Sequence, residues 1–147
     1  MRLVGEWNSS DVSERDLVSG LAHGEMTFLA HVHNPSLPGH PVDHFVLLSS
    51  YHEPGDSFTV LDPYLNTTVY PRDAIADILQ YEMLPVDSIV PRAYPLAKQC
   101  DPAWAADVIH IKTVCAVGCL MSSTAMALRQ HGINIDGKIA TPGTLNA

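Results

Sequence analysis

The sequence predicts an α+β fold, in which a helix that carries a cysteine packs on an antiparallel sheet. Three observations predict it: helical spacing of apolar residues at positions 11–23, three short strand-like runs between residues 27 and 61, and a second helical segment that begins at Gly118. The chain has 147 residues, of which 46% are hydrophobic and 16% charged. That composition provides enough apolar material for one core.

The first predicted helix spans residues 11–23. Asp11 and Ser13 are the residue types that cap helices, and Gly24 is a suitable stop. Its apolar face is expected to comprise Val12, Leu17, Val18 and Leu21.

Residues 27–32, 45–50 and 57–61 read as three short strands, separated by turns at 34–41 and 53–56 that contain proline or glycine. This pattern is typical of an antiparallel meander. Residues 72–81 follow Pro71 and are predicted to form a short amphipathic helix that covers the sheet. Its apolar face would consist of Ala74, Ile75, Ile78 and Leu79.

Prolines at positions 85, 91, 95 and 102 indicate an extended connector. The chain is therefore divided into a β-rich half at 1–84, a connector at 85–98 and a helical half at 99–147. In the last part a helix is predicted at 118–131, with Gly132 as its stop and small residues that favour close packing. Another helix is expected to start at Thr141 and Pro142, and to be too short to bury a face.

The charge of the chain excludes some classes of partner. The formal net charge is −8, the pI is about 5.3, and the eight Lys and Arg residues are scattered, which disfavours nucleic acid. No apolar run approaches the roughly 18 residues that a membrane span needs, and no export signal is visible at the N-terminus. We therefore expect a soluble protein that binds neither nucleic acid nor membrane.

The chemistry begins at Gly118-Cys119, at the head of the predicted helix. A cysteine at a helix N-terminus lies at the positive end of the macrodipole, which favours the thiolate, and the free backbone N–H groups there can donate to an oxyanion. Taken alone, such a cysteine is more often a packing residue. Gln99, 20 residues upstream, has a side-chain amide that could supply a second oxyanion donor.

A histidine and an aspartate complete the set. His44 opens the strand at 45–50, and Asp62 follows 18 residues later at the end of the next strand. In an antiparallel pair joined by a short turn these positions lie side by side, so Asp62 can accept a hydrogen bond from the imidazole. The plainer alternative is a strand-edge histidine and a turn-forming Asp-Pro.

Four short segments resemble the bacteriocin-processing peptidases that cleave double-glycine leaders, and their peptidase-like relatives in the papain superfamily of cysteine peptidases. The segments cover roughly half of the chain. They are Gln99-Cys100-Asp101-Pro102-Ala103-Trp104, Gly118-Cys119 with Ser123, Met126 and Gly132, His44-Phe45-Val46-Leu47-Leu48, and Asp62-Pro63.

The resemblance implies a papain-like fold and a Cys-His-Asp triad acting on a peptide or protein substrate, without a cofactor. It implies Cys119 as the nucleophile, His44 as the base, Asp62 as the residue that orients the histidine, and Gln99 as an oxyanion donor. Two alternatives stay open. One is acyl transfer instead of hydrolysis, and the other is a non-catalytic binding module that keeps the fold.

The order of the segments departs from that family, in which the cysteine comes first. Three explanations are open: a circular permutation, the tail of one domain followed by the head of another, and an incomplete product. The last two are favoured because connecting helices are not evident. If the halves belong to one fold, they could close within one chain or between two chains, as a domain-swapped homodimer.

The cysteine count fits these roles. A disulfide between Cys100 and Cys115 would close a loop of about 15 residues, worth about 3 kcal/mol, and leave Cys119 free. The sequons at Asn8 and Asn66, together with that disulfide, favour a secretory or lysosome-like setting.

A zinc site at His44 with His31, His33 and His40 is conceivable, but the spacing matches no metal motif, so no metal is expected.

Overall fold

The computed structural model describes residues 2–8, 13–23, 26–33, 43–66, 68–82 and 96–147. It has the predicted α+β class: an antiparallel sheet with a few helices. The turn at 34–41, His40, Asp11, Val12 and most of the proposed connector lie outside the described residues, as do Ser9, Ser10 and Thr67 of the two sequons.

The main sheet has six strands among the described residues, in the order β1-β6-β2-β3-β4-β5. Each strand pairs with its neighbours in antiparallel fashion. The strands are β1 (Arg2–Asn8), β2 (Met26–Val32), β3 (His44–His52), β4 (Ser57–Leu61), β5 (Val69–Pro71) and β6 (Ile75–Glu82).

Helices and two small hairpins complete the described structure. The helices are α1 (Glu14–His23), α2 (Val114–Val117), α3 (Cys119–Gln130) and α4 (Pro142–Leu145). The hairpins pair β7 (Val108–Ile109) with β8 (Lys112–Thr113), and β9 (Asn134–Ile135) with β10 (Lys138–Ile139).

The sheet is covered on both faces. Because side chains alternate along a strand, Phe28 and Ala30 of β2 face the core that contains Leu17 of α1, whereas Leu29 faces the core that contains Met126 of α3. All five residues are at most 1% exposed. The two helices therefore lie on opposite faces of one sheet, and α3 holds Cys119 against the face that it covers.

The predicted strands at 27–32, 45–50 and 57–61 are confirmed as β2, β3 and β4. The helix predicted at 11–23 is confirmed as α1, with Ser13 accepting from the Asp16 N–H at 3.2 Å. Leu17 is buried as expected, but Val18 is 45% exposed. The helix predicted at 118–131 is confirmed as α3, and Gly132 follows it with a φ of 67° that favours glycine.

The helix predicted at 72–81 is wrong. A single 3₁₀ turn at Arg72–Ala74 leads into β6, which lies between β1 and β2 inside the sheet. Its apolar residues are not one helical face, since Ile78 packs on the α1 side and Leu79 on the α3 side. A strand buried on both faces has no alternation of apolar and polar residues.

The expectation that the last helix is too short to bury a face also needs correction. Thr141 and Thr144 form a capping box at the start of α4. Pro142 is buried, and Leu145 packs on the small core of Leu128 and Ala140. Four residues therefore suffice to anchor this end of the described chain on α3.

Candidate active site

The pairing of β3 with β4 brings His44 and Asp62 together. Leu47 pairs with Leu61, so the start of β3 lies beside the end of β4. His44 Nε2 and Asp62 Oδ1 are 2.9 Å apart, and neither side chain has solvent exposure. A buried pair of this kind fixes both the orientation of the imidazole and its tautomer.

Three further donors surround the Asp62 carboxylate. The backbone N–H groups of Tyr64 and Leu65 each donate to Oδ1 at 2.7 Å, and the Tyr70 hydroxyl donates to Oδ2 at 2.7 Å. Burial by itself raises the pKa of Asp62, but hydrogen bonds with His44, Tyr70 and the Leu65 backbone outweigh it and lower the pKa below 3.8. Asp62 is therefore ionised near neutral pH.

Sequence reasoning missed Tyr70. This residue is fully buried on β5, a three-residue strand that no periodicity could reveal. The alternation of exposed Val69, buried Tyr70 and exposed Pro71 is the only local sign of it, and it is too short to interpret without the sheet.

Cys119 is the first residue of α3 and is a free, half-buried cysteine. The backbone of Gly118, the preceding residue, lies very close to the Val114 carbonyl. A Cβ at position 118 would be 2.5 Å from that carbonyl oxygen. Four residues into the helix, the buried Ser123 hydroxyl donates to the Phe45 carbonyl at 3.0 Å. This bond ties α3 to β3 next to His44, and so holds the thiol beside the imidazole.

The thiol and the imidazole line the same cleft, and each shifts the pKa of the other. Burial alone would lower the pKa of His44, but hydrogen bonds with Asp62 and Cys119 raise it from 6.5 to about 9. Burial alone would raise the pKa of Cys119, but the His44 hydrogen bond and backbone groups at Phe45 and Leu120 lower it below 9.0. Since Nε2 is bonded to Asp62, Nδ1 is the imidazole nitrogen that remains for the thiol. The pair therefore favours thiolate and imidazolium.

Gln99 lies in the same cleft and is 2% exposed. Its backbone N–H donates to the Pro63 carbonyl at 2.8 Å, which fastens it to the turn after Asp62. One side-chain N–H donates to the Cys115 carbonyl at 2.7 Å. The amide has a second N–H, so the contact with Cys115 orients the group without using both donors.

Cys100 and Cys115 are joined by a disulfide, with Cα atoms 4.3 Å apart, and Cys119 is free. The disulfide joins the residue after Gln99 to the residue whose carbonyl holds the Gln99 amide. It therefore constrains the segment that bears Gln99 and the turn that leads to Cys119.

These residues line a cleft of about 340 Å³. Cys119, His44 and Gln99 lie on its wall, whereas Asp62 is on the far side of the imidazole. The rest of the lining consists of Asp43, Phe45, Ala116, Val117 and Leu120. The structure thus brings all four predicted site residues together within one chain.

The other histidines do not join this site. His31 lies between Asp43 and Asp77, 3.3 Å from each, and stacks on Phe45, while His33 is exposed. In the part of the chain that the structure describes, no three His, Cys, Asp or Glu residues form a group able to hold a metal ion. None of the described helices is long and apolar enough to cross a membrane.

Comparison with known proteins gives no family for the chain. No family model matches the sequence, and neither the curated proteins nor the solved structures contain a significant match. The function must therefore be argued from the geometry of the cleft.

Proposed function

We propose that this protein is a cysteine peptidase that hydrolyses peptide bonds with a Cys119-His44-Asp62 triad on a papain-like fold. The observation that carries the proposal is a buried imidazole that is hydrogen-bonded to a buried carboxylate and lines the same open cleft as the free Cys119 thiol. Nucleophile, base and orienting group are the three parts that thiol-dependent acyl transfer requires.

The first half of the proposed reaction forms an acyl-enzyme. The Cys119 thiolate attacks the carbonyl carbon of the peptide bond, and its electron pair forms the C–S bond while the carbonyl becomes an oxyanion. The second N–H of Gln99 and the Cys119 backbone N–H are the proposed oxyanion donors. Collapse of the intermediate breaks the C–N bond, and the His44 imidazolium gives its proton to the departing amine.

The second half releases the acid. His44, now neutral, takes a proton from water, whose oxygen attacks the thioester carbonyl. The C–S bond breaks, the carboxylic acid leaves, and the thiolate and imidazolium are restored. Asp62 holds the imidazole in place throughout and stabilises its charged form.

Support for the roles of His44 and Asp62 comes from what their burial would otherwise cost. A buried charge pair adds little to stability compared with apolar residues of similar volume. Here neither side chain of the pair is exposed, the carboxylate has additional donors, and His44 lines the same cleft as Cys119. Burial of two charged groups costs folding free energy, and it is typical of catalytic sites because it shifts pKa values.

The test is the alkylation rate of Cys119 by iodoacetamide between about pH 5 and 9, read by mass spectrometry. An ordinary thiol with a pKa of about 8.5 loses about tenfold in rate per pH unit below that value. We expect native Cys119 at pH 5.5 to react about 100-fold faster than Cys119 in the denatured chain, because the native thiol is held as thiolate.

The His44→Ala variant should lose this acidic reactivity, whereas His33→Ala, which removes an exposed histidine, should keep it. The denatured wild type serves as the reference if His44→Ala does not fold. Equal rates for native and denatured Cys119 at pH 5.5 would exclude the triad and leave a binding module without catalysis.

A further inference from the structure

The cleft has an uneven distribution of charge outside the triad. Phe45, Ala116, Val117 and Leu120 make most of its wall apolar. Val117 and Leu120 are 39% and 41% exposed, and they lie on either side of Gly118-Cys119. Among the described lining residues there is one acidic side chain outside the triad, Asp43, and no Lys or Arg.

The Asp43 carboxylate is available to a bound molecule. Its side chain is 77% exposed, although it immediately precedes the fully buried His44. His31 Nε2 lies 3.3 Å from Oδ1, and His31 is itself stacked on Phe45 with ring centres 5.0 Å apart. The packed histidine thus contacts one carboxylate oxygen, and Asp43 remains an exposed lining residue of the cleft.

We propose that Asp43 is a specificity-determining residue, which selects peptides that carry a Lys or Arg side chain beside the bond to be cleaved, next to an apolar residue. This inference rests on the proposed function. The apolar wall matches an apolar side chain, and the exposed Asp43 carboxylate attracts a cation and repels an anion in the cleft. The net charge of −8 acts in the same direction.

The neighbouring charges do not cancel this preference. Asp77 is the second acidic group near Asp43, because it contacts the opposite nitrogen of His31 at 3.3 Å, and it adds negative charge. The Lys98 ammonium donates to the backbone carbonyls of Asp62 and Leu65, and Lys98 is not among the described residues that line the cleft. Among the described residues that line the cleft, a cation therefore meets the Asp43 carboxylate and no Lys or Arg.

The test uses Cys119 as a reporter of local charge. Methanethiosulfonates that carry an aminoethyl, a sulfonatoethyl or a neutral hydroxyethyl group are similar in size and form the same mixed disulfide with the thiolate. The quantity measured is the rate with the cationic reagent divided by the rate with the neutral one. This ratio removes any change in the reactivity of the thiolate itself.

We expect Asp43→Asn to lower the cationic-to-neutral ratio about three- to tenfold and to raise the anionic-to-neutral ratio at low ionic strength, where an exposed charge is least screened. Asp136→Asn is the matched control. It removes the same charge from an exposed turn with a φ of 48°, which asparagine tolerates, and should leave both ratios unchanged.

A pool of peptides that differ at the residues flanking one bond gives the second readout. The wild type should cleave beside Lys or Arg, and Asp43→Asn should lose that preference while it still cleaves. Unchanged reagent ratios in Asp43→Asn would overturn the inference, even if Cys119 is fully reactive. A sluggish Cys119 would instead refute the peptidase, since the ratios can be measured on a slow thiol as well.

Discussion

At the scale of single residues, the site depends on how the buried carboxylate is satisfied. An ionised carboxylate out of water is stable only when hydrogen bonds replace its hydration. Asp62 receives them from His44, from two backbone N–H groups and from the Tyr70 hydroxyl. Tyr70 thus acts on His44 through Asp62 and is a positioning residue.

Replacing Tyr70 by phenylalanine should therefore weaken the fold by about 1.5–3 kcal/mol, the range for a hydrogen bond to a charged group. Because the pKa of Asp62 is lowered in the folded protein, the stability that its charge contributes is present above 3.8 and is lost as the pH falls through the lower folded value. The difference in unfolding free energy between wild type and Tyr70→Phe should be full near pH 7 and shrink below 3.8, as measured by urea titration.

Tyr51→Phe is the matched control for that change. The Tyr51 hydroxyl also donates to an aspartate, Asp56, at 2.9 Å, but this pair is exposed. Its loss should cost less than about 1 kcal/mol. Equal losses for the two variants would mean that burial gives the Tyr70 bond no special role.

At the scale of elements, the site depends on how α3 is fastened to β3. Ser122 and Ser123 are adjacent, and both are buried, but they differ in their hydrogen bonds. Ser123 donates to the Phe45 carbonyl, whereas the Ser122 hydroxyl has no hydrogen-bond partner among the described residues. The two serines provide a comparison of bonded and unbonded hydroxyls on one helix.

We expect Ser123→Ala to cost about 1–3 kcal/mol, because the Phe45 carbonyl loses its donor, and to slow the alkylation of Cys119 at pH 5.5. Ser122→Ala should be neutral or slightly stabilising, because it removes a buried hydroxyl without a partner. Urea unfolding and iodoacetamide kinetics on both variants decide the matter. A larger loss for Ser122→Ala would contradict the proposed role of the α3–β3 bond.

The elements also explain how far sequence reasoning reached. β2, β3 and β4 have strand-type residues and clear turns between them, and they could be predicted. β6 could not be predicted, because its apolar residues face two different cores, as Ile78 and Leu79 do. Apolar residues at positions 74, 75, 78 and 79 have the spacing that is typical of one face of a helix. The positions of His44, Asp62, Cys119 and Gln99 were predicted from local patterns, but the role of Tyr70 depends on a strand pairing that local patterns do not contain.

At the scale of the whole molecule, the site joins the two ends of the described chain. His44 begins β3 and Asp62 directly follows β4, whereas Gln99 and Cys119 come from residues 96–147. Packing of α3 on the sheet and the bond from the Gln99 N–H to the Pro63 carbonyl bring them together. A chain in which the histidine and aspartate precede the cysteine is therefore able to assemble one cleft, a result that periodicity alone could not decide.

Removal of the Cys100–Cys115 disulfide tests whether the stability of residues 96–147 depends on this cross-link. The chain-entropy model assigns about 3 kcal/mol to a loop of this size. The free energy of unfolding of the double variant Cys100→Ser with Cys115→Ser, measured by urea titration, should therefore be lower by about that amount. The double variant should also lose part of the acidic reactivity of Cys119, because Gln99 and the preceding turn are less constrained.

Cys119→Ser retains the disulfide and serves as the control. Reductant should lower the free energy of unfolding of Cys119→Ser, and should leave that of the double variant unchanged. If reductant changes neither the wild type nor Cys119→Ser, the disulfide does not stabilise this region.

The close approach at Gly118 bears on how variation among descendants of this gene would be interpreted. A methyl group at this position would collide with the Val114 carbonyl, so selection for folding alone is enough to preserve the glycine. His44 and Asp62 differ, since a fold without the proposed catalysis could exchange a buried ionic pair for apolar residues at little cost. If the proposed catalysis is right, a lineage that lost it would keep Gly118 while His44 and Asp62 were replaced.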